Sequence, residues 1–159
     1  MSGRNTITIE HMIHRDGSQL DTIAGELLQE AIKAADRAYA PYSSFKVGTA
    51  LRLADGTIVT GNNQENASFP AGLCAERIAI ATAMSRSPEA KITDLLVIAP
   101  QVTGATPVSP CGICRQVMHE QELRQQAPMR LFLAMADGPI HEFASAGLLL
   151  PFSFDASFL

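Results

Sequence analysis

Tryptophan is absent, cysteine occurs three times, and Asp, Glu, Lys and Arg together make up only 18% of the 159 residues. Twelve Lys and Arg stand against 16 Asp and Glu, a formal net charge of −4. Binding a polyanion needs clustered cations to neutralise phosphates, so a small-molecule partner is expected rather than nucleic acid or an acidic membrane. No apolar run approaches the ~20 residues that span a bilayer. The opening stretch MSGRNTITIEHMIHR lacks the continuous apolar segment of a secretory signal. A cytoplasmic location is therefore expected. An odd cysteine count excludes a fully paired disulfide framework, and in a reducing compartment the thiolates stay available to a metal. The charged fraction also falls below the usual ~25%, which leaves surface suited to contacts between subunits.

What is present is apolar: 47% of the chain is hydrophobic. That excludes intrinsic disorder, and the length suits one domain with a real core. Residues 1–20 read as an N-terminal extension, in which Thr6-Ile7-Thr8-Ile9 alternates briefly like a strand, and 21–159 read as a single domain. Leu20, Ile23, Leu27, Leu28, Ala31, Ile32, Ala35 and Ala38 recur every three or four residues, so a helix is expected up to Pro41. Val47–Leu53 and Thr57–Thr60 flank Asp55-Gly56 and read as a hairpin. Helices follow at about 74–85 and 112–123, with a buried strand near 95–99. Strands at 130–134 and 140–143 and a small helix at 144–149 lead to a Phe-rich tail. Alternation of this kind predicts an α/β fold, a mixed five-stranded sheet with helices on both faces.

The polar stretch from Gly61 to Leu73 lies between confident elements, where loops often carry function. Immediately after it comes Cys74-Ala75-Glu76, and a second helix start carries Pro110-Cys111-Gly112-Ile113-Cys114. Catalytic zinc takes three protein ligands and leaves a fourth position to water or substrate. Cys74, Cys111 and Cys114 meet that need with every cysteine in the chain. Helix N-termini favour thiolates, and the first turn lets Cys111 and Cys114 point the same way. Glu76, two residues past a ligand, is placed to carry a proton, and Arg77 beside it to donate to a cysteine sulfur. A non-ligand Glu beside three cysteines is the arrangement of zinc nucleoside and nucleobase deaminases. Two other readings of the thiols remain open: a structural zinc closed by His119 or His141, and a redox pair of Cys111 and Cys114. His11 and His14 have metal-like spacing but are expected to be inert.

Six segments in order, Ala40-Pro41-Tyr42-Ser43, Phe45-Lys46-Val47-Gly48, Asn63-Gln64-Glu65-Asn66-Ala67-Ser68, Cys74-Ala75-Glu76-Arg77, Ser109 to Gln116, and Leu149-Leu150-Pro151-Phe152, carry a resemblance. Across roughly residues 21–155 the chain resembles the small homotetrameric zinc-dependent cytidine deaminases. The resemblance implies their three-layer α/β/α sandwich and one zinc ion per subunit. It implies hydrolytic deamination of cytidine and 2′-deoxycytidine to uridine and 2′-deoxyuridine, with release of ammonia. Cys74, Cys111 and Cys114 correspond to the zinc ligands and Glu76 to the proton shuttle. Asn63 and Glu65 correspond to the pair that holds the ribose 3′-hydroxyl, Phe45 to the aromatic against the pyrimidine, and Ala67 to the residue whose backbone reads the base edge. Phe154 corresponds to an aromatic inserted into a neighbouring subunit's site, so a homotetramer with shared active sites is implied. Arg77 and Gln116 are expected to support the groups that touch metal or substrate. Gln64 and Phe69 depart from the aliphatic residue and the Tyr frequent in the family. The alternatives are a deaminase of another cytosine-like nucleoside or nucleoside antibiotic, and a non-catalytic zinc-stabilised binding module.

Overall fold

In the computed structural model, which describes residues 3–159, one helix is laid on one face of a sheet and two on the other. The first, α1 (Thr22–Asp36), begins where the Asp21 carboxylate accepts from the Ala24 N–H at 2.8 Å, satisfying a donor the helix start leaves open. Its buried stripe is Ala24, Leu27, Ala31 and Ala35. α2 (Ala75–Arg86) buries Ala75, Ala79 and Ala83 along one line, and α3 (Gly112–Gln125) buries Cys114, Met118 and Gln121.

The strands are β1 (Met12–His14), β2 (Gly48–Leu53), β3 (Ile58–Asn62), β4 (Ile92–Thr103), β5 (Arg130–Asp137) and β6 (Ile140–Phe143). Their order across the sheet is β1-β6-β5-β4-β2-β3. Only β4 and β5 run parallel, joined through α3; the other pairings are antiparallel. Side chains of β4 alternate between the two faces, as the two-residue period of a strand requires. Leu96 and Ile98 enter the α1 layer with Ala50 and Phe132. Leu95 and Val97 enter the layer under α2 and α3 with Leu51 and Leu131. The result is the expected α/β/α sandwich, with one change.

The sheet has six strands rather than five. Met12–His14 pairs antiparallel with β6, while Thr6–Ile9, the stretch that alternates, forms no strand. Long-range side-chain contacts select the pairing. His14 Nε2 lies 2.7 Å from a Glu142 carboxylate oxygen. The His11 ring stacks on His141 and Phe143 with centroids 4.9 and 5.0 Å away. No local pattern announces such a three-residue edge strand. The small helix expected at 144–149 is a 3-10 turn over Ala146–Leu149. Its start is gathered by Glu122 of α3, whose carboxylate accepts from Ser145 Oγ and from the N–H groups of Ala146 and Gly147.

Two glycines set how closely the helices approach. A Cβ on Gly48 would lie 2.0 Å from the Ala31 carbonyl oxygen, and one on Gly61 would lie 2.4 Å from the Ala75 carbonyl oxygen. The two positions sit one register step apart on the paired strands β2 and β3. α1 therefore touches the sheet from one side and the start of α2 from the other.

Candidate active site

Because Gly61 lets Ala75 down onto β3, the chain just before α2 lies against the residues that follow β3. Cys74 occupies the N-cap of α2, and Cys111 the N-cap of α3. Neither cap makes a side-chain hydrogen bond to its helix, so both sulfurs are free to face elsewhere. The Cys74 and Cys111 sulfurs are 3.9 Å apart, and those of Cys111 and Cys114 are 3.6 Å apart. All three lie within 4.8 Å of one another. Sulfurs held by ~2.3 Å bonds at tetrahedral angles about a zinc ion would be ~3.8 Å apart, so the donor set and its spacing fit that metal. His119 and His141 are not part of the cluster, which removes the fourth ligand a closed structural site needs. His119 sits on α3 near Gly147, and His141 sits on β6 against His11.

The three thiols do not titrate alike. Cys74 is pulled down to about 5, chiefly by a hydrogen bond from Cys114, with further help from Cys111 and Arg77. Cys114 is pushed up, because it is the thiol that donates to Cys74. Arg77 also donates through Nη2 to the Gly72 carbonyl at 2.8 Å, pinning the backbone just before Cys74. Glu76 is 4% exposed, and its burial raises the carboxyl above the ordinary range, as a group that must both take and give a proton requires.

Cys74, Cys111 and Glu76 line a cleft of about 590 Å³. Phe45, Asn63 and Glu65 line it as well, together with Tyr42 and Ser43. Asn63 stands just past β3 and clamps the loop before β2: Nδ2 donates to the Phe45 carbonyl, and Oδ1 accepts from the Val47 N–H, both at 2.8 Å. Glu65 accepts from the Tyr42 N–H at 2.9 Å, from the Ser43 N–H at 3.3 Å and from the Ser43 hydroxyl. These contacts hold its carboxyl below the ordinary range, the Ser43 hydroxyl contributing most.

The remaining predicted residues stand outside the cleft lining. Ala67 is exposed in the loop one residue beyond Asn66, which does line it. Phe154 lies in the tail, exposed and stacked on Phe158. Gln116 donates to the Phe154 carbonyl at 2.8 Å and so ties that tail to α3.

Two residues within the matched segments have partners that only the fold reveals. Ser43 is an unremarkable loop serine until Glu65, 22 residues away, is folded against it. Arg115 donates through Nε to the Pro110 carbonyl, through Nη2 to Ser109 Oγ and through Nη1 to the Leu149 carbonyl. It thereby fastens the approach to Cys111 to the turn before the tail. Only its place directly after Cys114 hinted at this.

A thiol triad fit for zinc at two helix starts of an α/β/α sandwich, with a buried carboxyl beside it, defines the class as a zinc-binding hydrolytic deaminase domain. Residues 22–127 match the model of the cytidine and deoxycytidylate deaminase zinc-binding region. The chain is 42% identical over 130 residues to a cytidine deaminase of Halalkalibacterium halodurans, covering 82% of this chain and 92% of that one. It is 40% identical over 124 residues to a cytidine deaminase of Sporosarcina psychrophila, covering 78% and 86%. A crystal structure of cytidine deaminase from Burkholderia pseudomallei matches with a TM-score of 0.72 at 38% identity, covering 81% of this chain and 97% of that one. The chain belongs to the cytidine and deoxycytidylate deaminase family.

Proposed function

We propose that this protein hydrolytically deaminates cytidine and 2′-deoxycytidine, giving uridine or 2′-deoxyuridine and ammonia. The observation that carries the reading is the buried Glu76 carboxyl on the same helix start as Cys74, lining a nucleoside-sized cleft. Cys74, Cys111 and Cys114 would hold zinc, which when bound would supply the Lewis acidity that lowers the pKa of a water. Glu76 takes a proton from the attacking water as its oxygen adds to C4 of the ring, and delivers that proton to N3. It then shuttles a second proton to the amine as the C4–N bond breaks and the carbonyl of the product forms. Its raised affinity for protons suits both halves of that cycle.

The cleft supplies the positioning. Phe45 packs against the pyrimidine, and the Ala67 backbone reads the base edge. Glu65 is ionised and acceptor-only, so the sugar 3′-hydroxyl donates to it. The second proton of Asn63 Nδ2 remains for the same oxygen. Because the 2′ position is not engaged, ribose and deoxyribose are both accepted.

The protein assembles as a homotetramer in this reading, and its exposed apolar surfaces support self-association. Phe152 is 85% and Phe158 68% exposed, and a second, apolar hollow is lined by Leu73, by Ile78 and Ile80 of α2 and by Val117 of α3. Such a surface is costly to leave in water. Phe154, tethered by Gln116, reaches a neighbouring subunit's cleft. Nucleic acid and membranes are not partners, and the protein works in the cytoplasm. Among the described residues no helix is long and apolar enough to cross a membrane. The test is ultraviolet monitoring of cytidine together with ammonia release and metal analysis of the same sample. Turnover with about one zinc per chain is expected. Zinc-loaded protein that leaves cytidine unchanged would overturn the reading.

A further inference from the structure

Phe45 is gripped by its backbone and free at its side chain. Its N–H donates to Ser43 Oγ at 2.9 Å and its carbonyl accepts from Asn63 Nδ2 at 2.8 Å, while its ring is 37% exposed on the cleft. Between Ser43 and Phe45 the chain turns through Ser44 at φ +57°, a left-handed conformation that a residue with a Cβ does not adopt readily. Something outside the turn must hold it. Glu65 does so, accepting from Tyr42 and Ser43 at three points.

The direction of these bonds is forced. An ionised carboxylate only accepts, so the single Ser43 hydroxyl proton goes to Glu65. That leaves the oxygen's lone pairs as the partner of the Phe45 N–H. One hydroxyl therefore connects a fixed acid to the backbone that carries the aromatic ring.

We propose that Ser43 is a positioning residue for substrate binding: its hydroxyl, aimed by Glu65, sets where the Phe45 ring meets the pyrimidine. The inference rests on the nucleoside reading of the cleft. Asn63 grips the peptide unit on the other side of the Phe45 Cα, so the residues assigned to the sugar also build the platform for the base. Contact between a ring and a pyrimidine is made equally in the ground and transition states, so its loss is felt in KM rather than kcat.

The test compares Ser43→Ala, Ser43→Thr, Phe45→Ala and the Ser43→Ala/Phe45→Ala double variant, each as zinc-loaded full chain with cytidine. Ser43→Ala is expected to raise KM roughly three- to tenfold, the worth of one hydrogen-bonded hydroxyl. Ser43→Thr restores the wild-type KM, and Ser43→Ala adds nothing further once Phe45 is Ala. Amide hydrogen exchange at Phe45 speeds up in Ser43→Ala while the α2 and α3 amides keep their rates. Additive effects in the double variant, a change confined to kcat, failure of Thr to restore KM, or unaltered exchange at Phe45 overturns the proposal. Wild-type protein inert towards cytidine overturns the nucleoside reading instead, and the exchange measurement still decides whether Ser43 holds the turn.

Discussion

Gly61 of β3 lies directly beneath Ala75, the first residue of α2, so closely that an added Cβ would stand 2.4 Å from the Ala75 carbonyl oxygen and 2.7 Å from the Ala79 nitrogen. Both obstacles are backbone, which does not swing aside as a side chain can. Cys74, one of the three clustered thiols, and the buried Glu76 hang from the helix end that this contact seats.

Gly61→Ala is accordingly expected to push the start of α2 outward. Overpacking of this kind costs ~1–3 kcal/mol, read as a lower urea midpoint. The sharper sign is at the site: Cys74 moves with α2 while Cys111 and Cys114 stay with α3, so zinc is held less tightly against a chelator. A variant with wild-type zinc retention would show that α2 is not seated by this contact.

Glu76→Gln separates proton transfer from architecture. Gln matches Glu in size but cannot carry the proton, and Glu76 is not one of the three clustered sulfur donors. The variant should keep its zinc content and its melting temperature, or gain a little stability, because burying a neutral amide costs less than burying a carboxylate. Turnover of cytidine should fall by at least ~10²–10⁴-fold, the usual worth of general acid–base catalysis. Turnover near the wild-type rate would rule out the proton route.

The thiol cluster was legible because its chemistry is compressed into short local strings. Cys74-Ala75-Glu76 and Cys111 to Cys114 carry the thiols and the carboxyl at close spacing, so their chemistry is read without any long-range contact. The sandwich was readable from α1's stripe and from the continuous apolar run of β4. What escaped depends on distant partners. β1 exists because His14 and His11 meet Glu142, His141 and Phe143, some 130 residues on. Ser43 gains its role from Glu65, and Arg115 from Pro110 and Leu149. In each case the local string is neutral and the deciding contact is made only in the folded chain.

Asp21 offers a pH-dependent test of the fold. It caps α1 and also pairs with Arg130 at 2.6 Å, and Arg130 reaches Asp94 at 2.7 Å as well. The Ala24 N–H first, and Arg130 next, hold the Asp21 carboxyl below its usual range. A carboxyl depressed in the folded state contributes stability above its unfolded value of ~3.9, and loses it as pH falls through the folded one. Asp21 is about half exposed, so solvent screens the pair and the cap is the larger part. Asp21→Ala should cost ~1 kcal/mol at pH 7, and the gap to wild type should narrow below about pH 4. Asp21→Asn, which still caps, should lose less. Urea midpoints at the two pH values check the sign; a gap that widens in acid contradicts it.

The tail provides the test of shared active sites. Among the described residues Phe154 is tied by the 2.8 Å hydrogen bond from Gln116 to its carbonyl and by stacking on Phe158. The residues from Phe152 to Leu159 bury nothing in the core of their own subunit. Removing them should therefore leave the fold and the thiol cluster intact, with the melting temperature of the isolated subunit little changed. If Phe154 completes a neighbour's cleft, ending the chain at Pro151 should lower activity and shift the assembly to smaller species in the same preparation, as seen by light scattering alongside cytidine turnover. Gln116→Ala should produce a milder version, with assembly kept and KM raised, because the tail stays present but loses its tether. A truncated chain that is monomeric and fully active would mean that each subunit closes its own cleft.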